Sequence, residues 1–199
     1  MPDEEKRSRF ARLVLPHMDA AMGLARWLLR DSASAEDAVQ EAYLRAFRFF
    51  HSLRGENARP WLLGIVRNTC LTLLEQERQN PGAEFDEAIH GEDSVATGAV
   101  VWLSADPEAS AIARSEREQV QRCLRALPVE YREVIVLREL HGCSYQEISQ
   151  IAGVPIGTVM SRLSRARERM RAALDGAPAA SAAFAASGDG GSTALHRVK

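Results

Sequence analysis

The sequence predicts an all-α protein of two small helical domains joined by a flexible acidic linker, the second a four-helix domain with a helix-turn-helix. Three observations carry this. Apolar residues recur at three and four positions through residues 10–79 and again through 107–174, which is the repeat of a helix with one buried face. Between these stretches the chain loses its periodicity and gains Pro81, glycines and the acids Glu84, Asp86, Glu87, Glu92 and Asp93. Finally, Ser144 to Arg171 is punctuated as two short helices meeting at a tight turn.

Taken in order, Phe10 to Asp31 places Leu13, Leu15, Met18, Ala21, Leu24, Ala25 and Leu28 at helical spacing, with Pro16 starting or kinking a helix. Ser34-Ala35-Glu36-Asp37 reads as a capping signal for a second helix whose apolar positions are Val39, Ala42, Tyr43, Ala46, Phe49 and Phe50. The opposite face of that helix carries Asp37, Gln40, Glu41 and Arg45, either plain solvated surface or a docking face. His51 to Arg59 has no periodicity and is a loop, and Pro60 suits the first turn of the next helix. There Trp61, Leu62, Ile65, Val66, Thr69 and Leu73 form an apolar face, with Arg67 and Asn68 outside it. The Trp61 indole fits a core, while a polar loop leading into a helix with Arg and Asn also fits capture of single-stranded bases.

Asp106-Pro107-Glu108 combines a cap, a proline and an early acid, so a helix starts there. Ile112, Val120, Cys123, Leu124 and Leu127 run to Pro128, and Tyr131, Val134, Ile135, Leu137 and Leu140 form another helix up to Gly142. Ser144 and Glu147 have the spacing in which a hydroxyl and a carboxylate reciprocally satisfy the free amides of a helix start. Gly153 supplies the left-handed residue that ends that helix, and Pro155 fits the first turn of the next. In this last helix Ile156, Val159, Leu163, Ala166 and Met170 share an inner face, leaving Thr158, Ser161, Arg162, Arg165 and Arg169 outward. A cationic outer face on the second helix of a helix-turn-helix points to DNA. The expected boundaries are 1–79, a linker over 80–106, 107–175, and a disordered Ala/Ser/Gly-rich tail over 176–199.

Composition limits the function classes. The 199 residues are 46% hydrophobic with a formal net charge of -2, so nucleic-acid affinity must come from local clustering of arginines. Three cysteines at wide spacing, without a C-x-x-C pair, argue against a disulfide framework or a structural zinc site and for a reducing compartment. The charged N-terminus lacks a signal-peptide core, and no apolar run approaches membrane-spanning length, so a cytoplasmic protein without membrane insertion is expected.

The two motif-bearing stretches resemble a known family. LPVEYREVIVLRELHGCSYQEISQIAGVPIGTVMSRLSRARERMR resembles the fourth conserved region of bacterial sigma factors, and SAEDAVQEAYLRAFRFF with RPWLLGIVRN resembles the second. With only these two regions, the chain is identified as a member of the extracytoplasmic-function (ECF) group of the sigma-70 family. The resemblance implies a factor that binds core RNA polymerase, directs it to promoter DNA through minus-10 and minus-35 contacts, and helps melt the duplex. It implies no catalytic residue, no metal and no cofactor, and an anti-sigma factor as a further partner.

By position in the family, Asp37, Gln40, Glu41 and Leu44 dock on core polymerase, so the acidic face is assigned to docking. His51, Ser52, Leu53, Arg54, Gly55, Glu56, Asn57, Arg59, Trp61, Arg67 and Asn68 match the minus-10 reader. Ser161, Ser164 and Arg165 are assigned to minus-35 bases, and Thr158, Arg162 and Arg167 to phosphates. Thr72, where the family commonly has Asp, and the Glu75-Gln76-Glu77-Arg78 helix end, commonly basic, depart from the pattern. They imply weaker duplex contacts there.

Two other readings share some of these features. An ordinary helix-turn-helix regulator explains the C-terminal motif but not RPWLLGIVRN after an acidic-faced helix. A metal-dependent enzyme using Glu36, Asp37, Glu41 and His17 or His51 lacks any paired-ligand spacing. Cys143 with His141 likewise fits turn and core better than a zinc site.

Overall fold

The computed structural model of the chain describes residues 3–79 and 107–175, which are helical throughout apart from short turns. The expected acidic linker, Asp106 and the tail lie outside the described residues. The first unit contains α1 (Asp3–Val14), α2 (Met18–Leu29), α3 (Ser32–Arg48) and α4 (Ala58–Gln79). The second contains α5 (Pro107–Ala126), α6 (Val129–Ile135), α7 (Tyr145–Ala152) and α8 (Ile156–Leu174).

Proline and capping chemistry set the helix ends. Pro16 lies in a single 3-10 turn, Leu15–His17, that separates α1 from α2, so the expected first helix begins earlier and is divided. The cap of α3 is Asp31 and not Ser34: its carboxylate accepts the Ser34 amide at 2.6 Å. That bond, with two neighbouring amides, holds the Asp31 carboxyl below its ordinary pKa. Arg30, in the left-handed conformation at φ 67°, turns the chain between α2 and α3.

Packing follows the apolar stripes. Leu24, Leu28, Leu62 and Leu63 are fully buried between α2, α3 and α4, each contributing about 1.5–3 kcal/mol by leaving water. Phe10 on α1 closes one end, edge-on to Phe47 and Phe50 at 5.2 and 5.3 Å between ring centroids. In the second unit Leu137, Ile148 and Leu163 are fully buried. A π-helical stretch, Val136–Leu140, follows α6 and delivers the chain into the turn at His141.

The sequence describes two domains but not their contact. In the structure α4 packs on α7 and α2 on α6, and the apolar cores of the two units are continuous. Gly23 permits this approach, whereas Gly64 has room for a side-chain carbon at ordinary contact distance. A Cβ on Gly23 would stand 3.0 Å from the His141 ring, and one on Gly64 would stand 3.8 Å from the Ile151 carbonyl oxygen.

Candidate nucleic-acid and polymerase interface

The face of α3 assigned to polymerase is open. Asp37, Gln40, Glu41 and Leu44 are all exposed, Leu44 by 65%, because the opposite stripe of Ala35, Ala38, Val39, Ala42 and Ala46 turns into the core. An exposed leucine amid polar residues is a surface suited to an apolar contact. Glu41 pairs with Arg45 at 2.6 Å one turn away, and Lys6 of α1 lies 4.4 Å over the Phe47 ring beside it. A shallow depression lined by Lys6, Glu41, Leu44, Arg45, Phe47 and Arg48 results.

The loop after α3 is built on a 3-10 turn, Phe50–Ser52. The Ser52 hydroxyl donates to the Phe49 carbonyl at 2.7 Å, and Leu53 is buried as its anchor. Leu53 therefore supports the loop from beneath and does not offer its side chain to a base. His51, Ser52, Arg54, Gly55, Glu56 and Asn57 are exposed. Trp61 is half-buried, edge-on to Phe50 at 6.4 Å. Phe49, read from periodicity as core, is 50% exposed and lies 6.3 Å from the His51 ring. It is the C-cap of α3, where the helical period stops, so its side chain no longer follows the buried stripe. An exposed ring at the loop edge can stack on a base.

The helix-turn-helix forms as its residue types require. Ser144 Oγ accepts the Glu147 amide at 3.2 Å and the Glu147 carboxylate accepts the Ser144 amide at 2.8 Å, the full capping box. Those bonds hold the Glu147 carboxyl below its ordinary pKa. Gly153 takes φ 66°, as expected at the end of α7, and the Ser149 hydroxyl donates to the Val154 carbonyl at 2.6 Å across the turn. Pro155 stands one position earlier than expected, as the N-cap of α8. Val159, Leu163 and Ala166 are buried, whereas Ile156, expected on the inner face, is 43% exposed in the overhanging first turn.

On the outer face of α8, Ser161, Ser164 and Arg165 are exposed and Thr158 is half-buried. The Ser161 hydroxyl donates to the Thr158 carbonyl at 3.0 Å. Arg167 pairs with Glu139 at 2.7 Å, and Arg169 lies 4.8 Å over the Tyr131 ring.

Several of the assigned cations are engaged within the protein. Arg67 Nε meets Glu133 Oε2 at 2.7 Å and its Nη2 meets Oε1 at 3.2 Å. Arg162 Nη1 reaches the same Oε1 at 3.1 Å. Arg67 also donates to the Asn68 side-chain oxygen at 3.2 Å, and Arg59 donates to the His141 carbonyl. Arg67 and Arg162 thus share one carboxylate, which is only 1% exposed. Sequence reading passed over Glu133 because every residue from Tyr131 to Leu137 is buried. A helix covered all round by α2, α4 and α8 has no polar side for periodicity to find. Arg132, 3% exposed, is accommodated there by donating to the Leu28, Arg125 and Leu127 carbonyls. Burial is the main reason its pKa falls to about 10.

Among the described residues no cluster of His, Cys, Asp and Glu could hold a metal ion, and no helix is long and apolar enough to cross a membrane. Cys70, Cys123 and Cys143 are buried free thiols, with burial raising Cys70 to about 12.

Comparison with known proteins agrees with this geometry. The family model for sigma-70 region 2 matches residues 13–80, and that for sigma-70 region 4 matches residues 117–170. The ECF RNA polymerase sigma-E factor of Escherichia coli (strain K12) is 39% identical over 138 residues, spanning 69% of this chain and 72% of that protein. The RNA polymerase sigma-H factor of Pseudomonas aeruginosa is 32% identical over 179 residues, spanning 85% and 88%. Among solved structures, the sigma factor RpoE in complex with the anti-sigma factor NepR from Bartonella quintana superposes with a TM-score of 0.62. It is 28% identical and covers 83% of this chain and 96% of its own. CnrH in complex with the cytosolic domain of CnrY, at 24% identity and a TM-score of 0.57, shares the fold. Region 2 followed by region 4, on a helical scaffold presenting an open α3 face and a helix-turn-helix, places the chain in the ECF group of the sigma-70 family of RNA polymerase sigma factors.

Proposed function

We propose that this sigma factor works by a two-point division of labour, with residues 1–79 as the polymerase-docking and minus-10 domain and residues 107–175 as the minus-35 domain. The observation that carries the reading is the outer face of α8, where Ser161, Ser164 and Arg165 stand exposed beside a rigidly capped turn. Arg165 reads a base edge, while Thr158, Arg162 and Arg167 seat the helix on phosphates. In the first domain Asp37, Gln40, Glu41 and Leu44 engage core polymerase. His51, Ser52, Arg54, Glu56 and Asn57 line the strand-capture loop, with Trp61 and Phe49 as stacking rings, Arg59, Arg67 and Asn68 on the adjoining helix, and Leu53 and Gly55 shaping it.

Promoter opening on this reading needs no catalytic group. Each captured base stabilises the separated strand by stacking, roughly 1–3 kcal/mol, so the protein acts by binding and is not an enzyme. The likeness to a sigma factor solved with an anti-sigma factor supports a similar inhibitor as partner, and the work is placed in the cytoplasm beside polymerase and DNA. Run-off transcription with purified core polymerase tests the reading: a discrete promoter-dependent transcript is expected. Failure of core polymerase to bind the chain refutes it.

A further inference from the structure

We propose that Lys6 and Arg9 of α1, which lie over Phe47 and Phe50 at the root of the strand-capture loop, form a further DNA site that binds backbone phosphates of the separated strand. This rests on the minus-10 reading above. The two cations stand three residues apart on α1, close enough to share one flank of the helix. Lys6 Nζ is 4.4 Å from the centre of the Phe47 ring, and Arg9 Cζ is 5.6 Å from that of Phe50. Phe10 packs edge-on against both rings, and Phe50 in turn meets Trp61 at 6.4 Å between ring centroids. Arg9 is thus one ring removed from Trp61, which is assigned to base capture.

Both cations are held by rings and not by acids. Glu5 stands one turn before Arg9, the spacing of a helical ion pair, yet the guanidinium lies on Phe50. Among the described residues no carboxylate is within ion-pair distance of Lys6, Arg9 or the exposed Arg48. Arg45, Arg67, Arg162 and Arg167, by contrast, all pair with carboxylates. A guanidinium stacked on a ring uses its face and keeps its in-plane N–H donors, which match two phosphate oxygens. The ring also restricts the side chain beforehand, which lowers the ordering cost of binding. Charge separates this occupant from polymerase. The docking face of α3 carries Asp37 and Glu41 and suits a basic partner, whereas Lys6, Arg9 and Arg48 make a basic corner beside the loop that repels one. A phosphate backbone has the complementary charge and carries no base information, so the site adds affinity without sequence preference.

The test uses the full chain bound to core polymerase and two labelled DNAs from a promoter that gives a run-off transcript. One is a fork whose minus-10 strand is single; the other is a duplex ending upstream of the minus-10 element. Fluorescence anisotropy across a salt series gives affinity and its salt slope. Lys6→Gln with Arg9→Gln is expected to weaken fork binding about tenfold and to flatten the slope by about 1.4, the share of two single-strand phosphates, with the upstream duplex unaffected. Arg9→Lys keeps the charge and most of the slope. Arg7→Gln, the same charge change at an exposed residue of α1, leaves both DNAs bound as before. Circular dichroism checks folding, and Lys6→Gln alone, with half the slope change, serves if the double variant loses helix content. Unchanged fork affinity and slope overturns the site. So does an equal loss on both DNAs, or a loss of core-polymerase affinity that accounts for the whole effect and assigns the cations to polymerase. If the unmodified chain does not prefer the fork to one with a scrambled minus-10 strand, the minus-10 reading fails and this site with it. That preference, kept intact in the double variant with an unaltered slope, counts against the site alone.

Discussion

Replacing Glu133 by glutamine keeps the shape of the side chain and removes the charge that two arginines share. The carboxylate is 1% exposed, with its partners at 2.7, 3.1 and 3.2 Å. Removing one member of a buried ion pair costs about 3–5 kcal/mol because the remaining charge is left without compensation. Here the lower end applies, since the Arg67 and Arg162 side chains are 15% and 25% exposed and water can reach them partly. A loss of about 3 kcal/mol is expected by urea denaturation followed by far-ultraviolet circular dichroism at neutral pH. The double-mutant cycle with Arg67→Ala isolates the contact between the domains, with a coupling of about 1–2 kcal/mol. The cycle with Arg162→Ala isolates the contact within the second domain. A coupling to Arg67 near zero would refute the shared carboxylate, whatever the total loss.

His141 is half-buried against Gly23 with its Nε2 unpartnered and Arg59 nearby, and burial, then Arg59, lowers its pKa from 6.5 to about 4. The unfolded chain binds this proton at a pH where the folded chain does not, so stability is complete above the unfolded pKa and falls with acidification between the two values. A loss of about 2 kcal/mol near pH ~5 follows, and His141→Gln should flatten that part of the profile. Ser144→Ala breaks the capping box and should cost about 1 kcal/mol, read as a lower denaturation midpoint; no change would mean that the Glu147 carboxylate suffices alone. Arg165→Ala should relax preference at one minus-35 base by about 1–3 kcal/mol, measured by holoenzyme binding to single-substitution promoters. Arg162→Ala should instead weaken every sequence alike and also lower stability, because Glu133 loses a partner; equal loss of base preference in both variants would refute the division of roles.

The helix-turn-helix was legible in the sequence because its determinants are local. A hydroxyl three residues before a glutamate, a glycine that alone takes φ 66° without strain, and a proline at the next helix start act within one turn of chain. The exposure of the α3 face was legible in outline for a similar reason, since Asp37, Gln40 and Glu41 follow the helical repeat opposite a run of alanines; its assignment to polymerase, with Leu44, came only from the family resemblance. The helix starts were less exact where two caps competed, as with Asp31 and Ser34, and where Pro16 needed only one 3-10 turn.

What only the tertiary structure decided concerns contacts between stretches far apart in the chain. Periodicity states that a face is buried but not what buries it, so it could not place α7 against α4 or Gly23 beneath His141. It placed a helix at α6 from Tyr131, Val134 and Ile135, but with every residue from Tyr131 to Leu137 buried it could not show that Glu133 is inside. Charge clustering singled out the arginines of α8, and helical spacing set Arg67 outside the apolar face of α4. Whether an arginine points to solvent or to a carboxylate 66 residues away is set by domain packing, which brings Arg67 and Arg162 to the same oxygen of Glu133. The residue types determined by themselves that α4 and α8 carry arginines outside their apolar faces; the fold decided which of these pair with carboxylates within the protein.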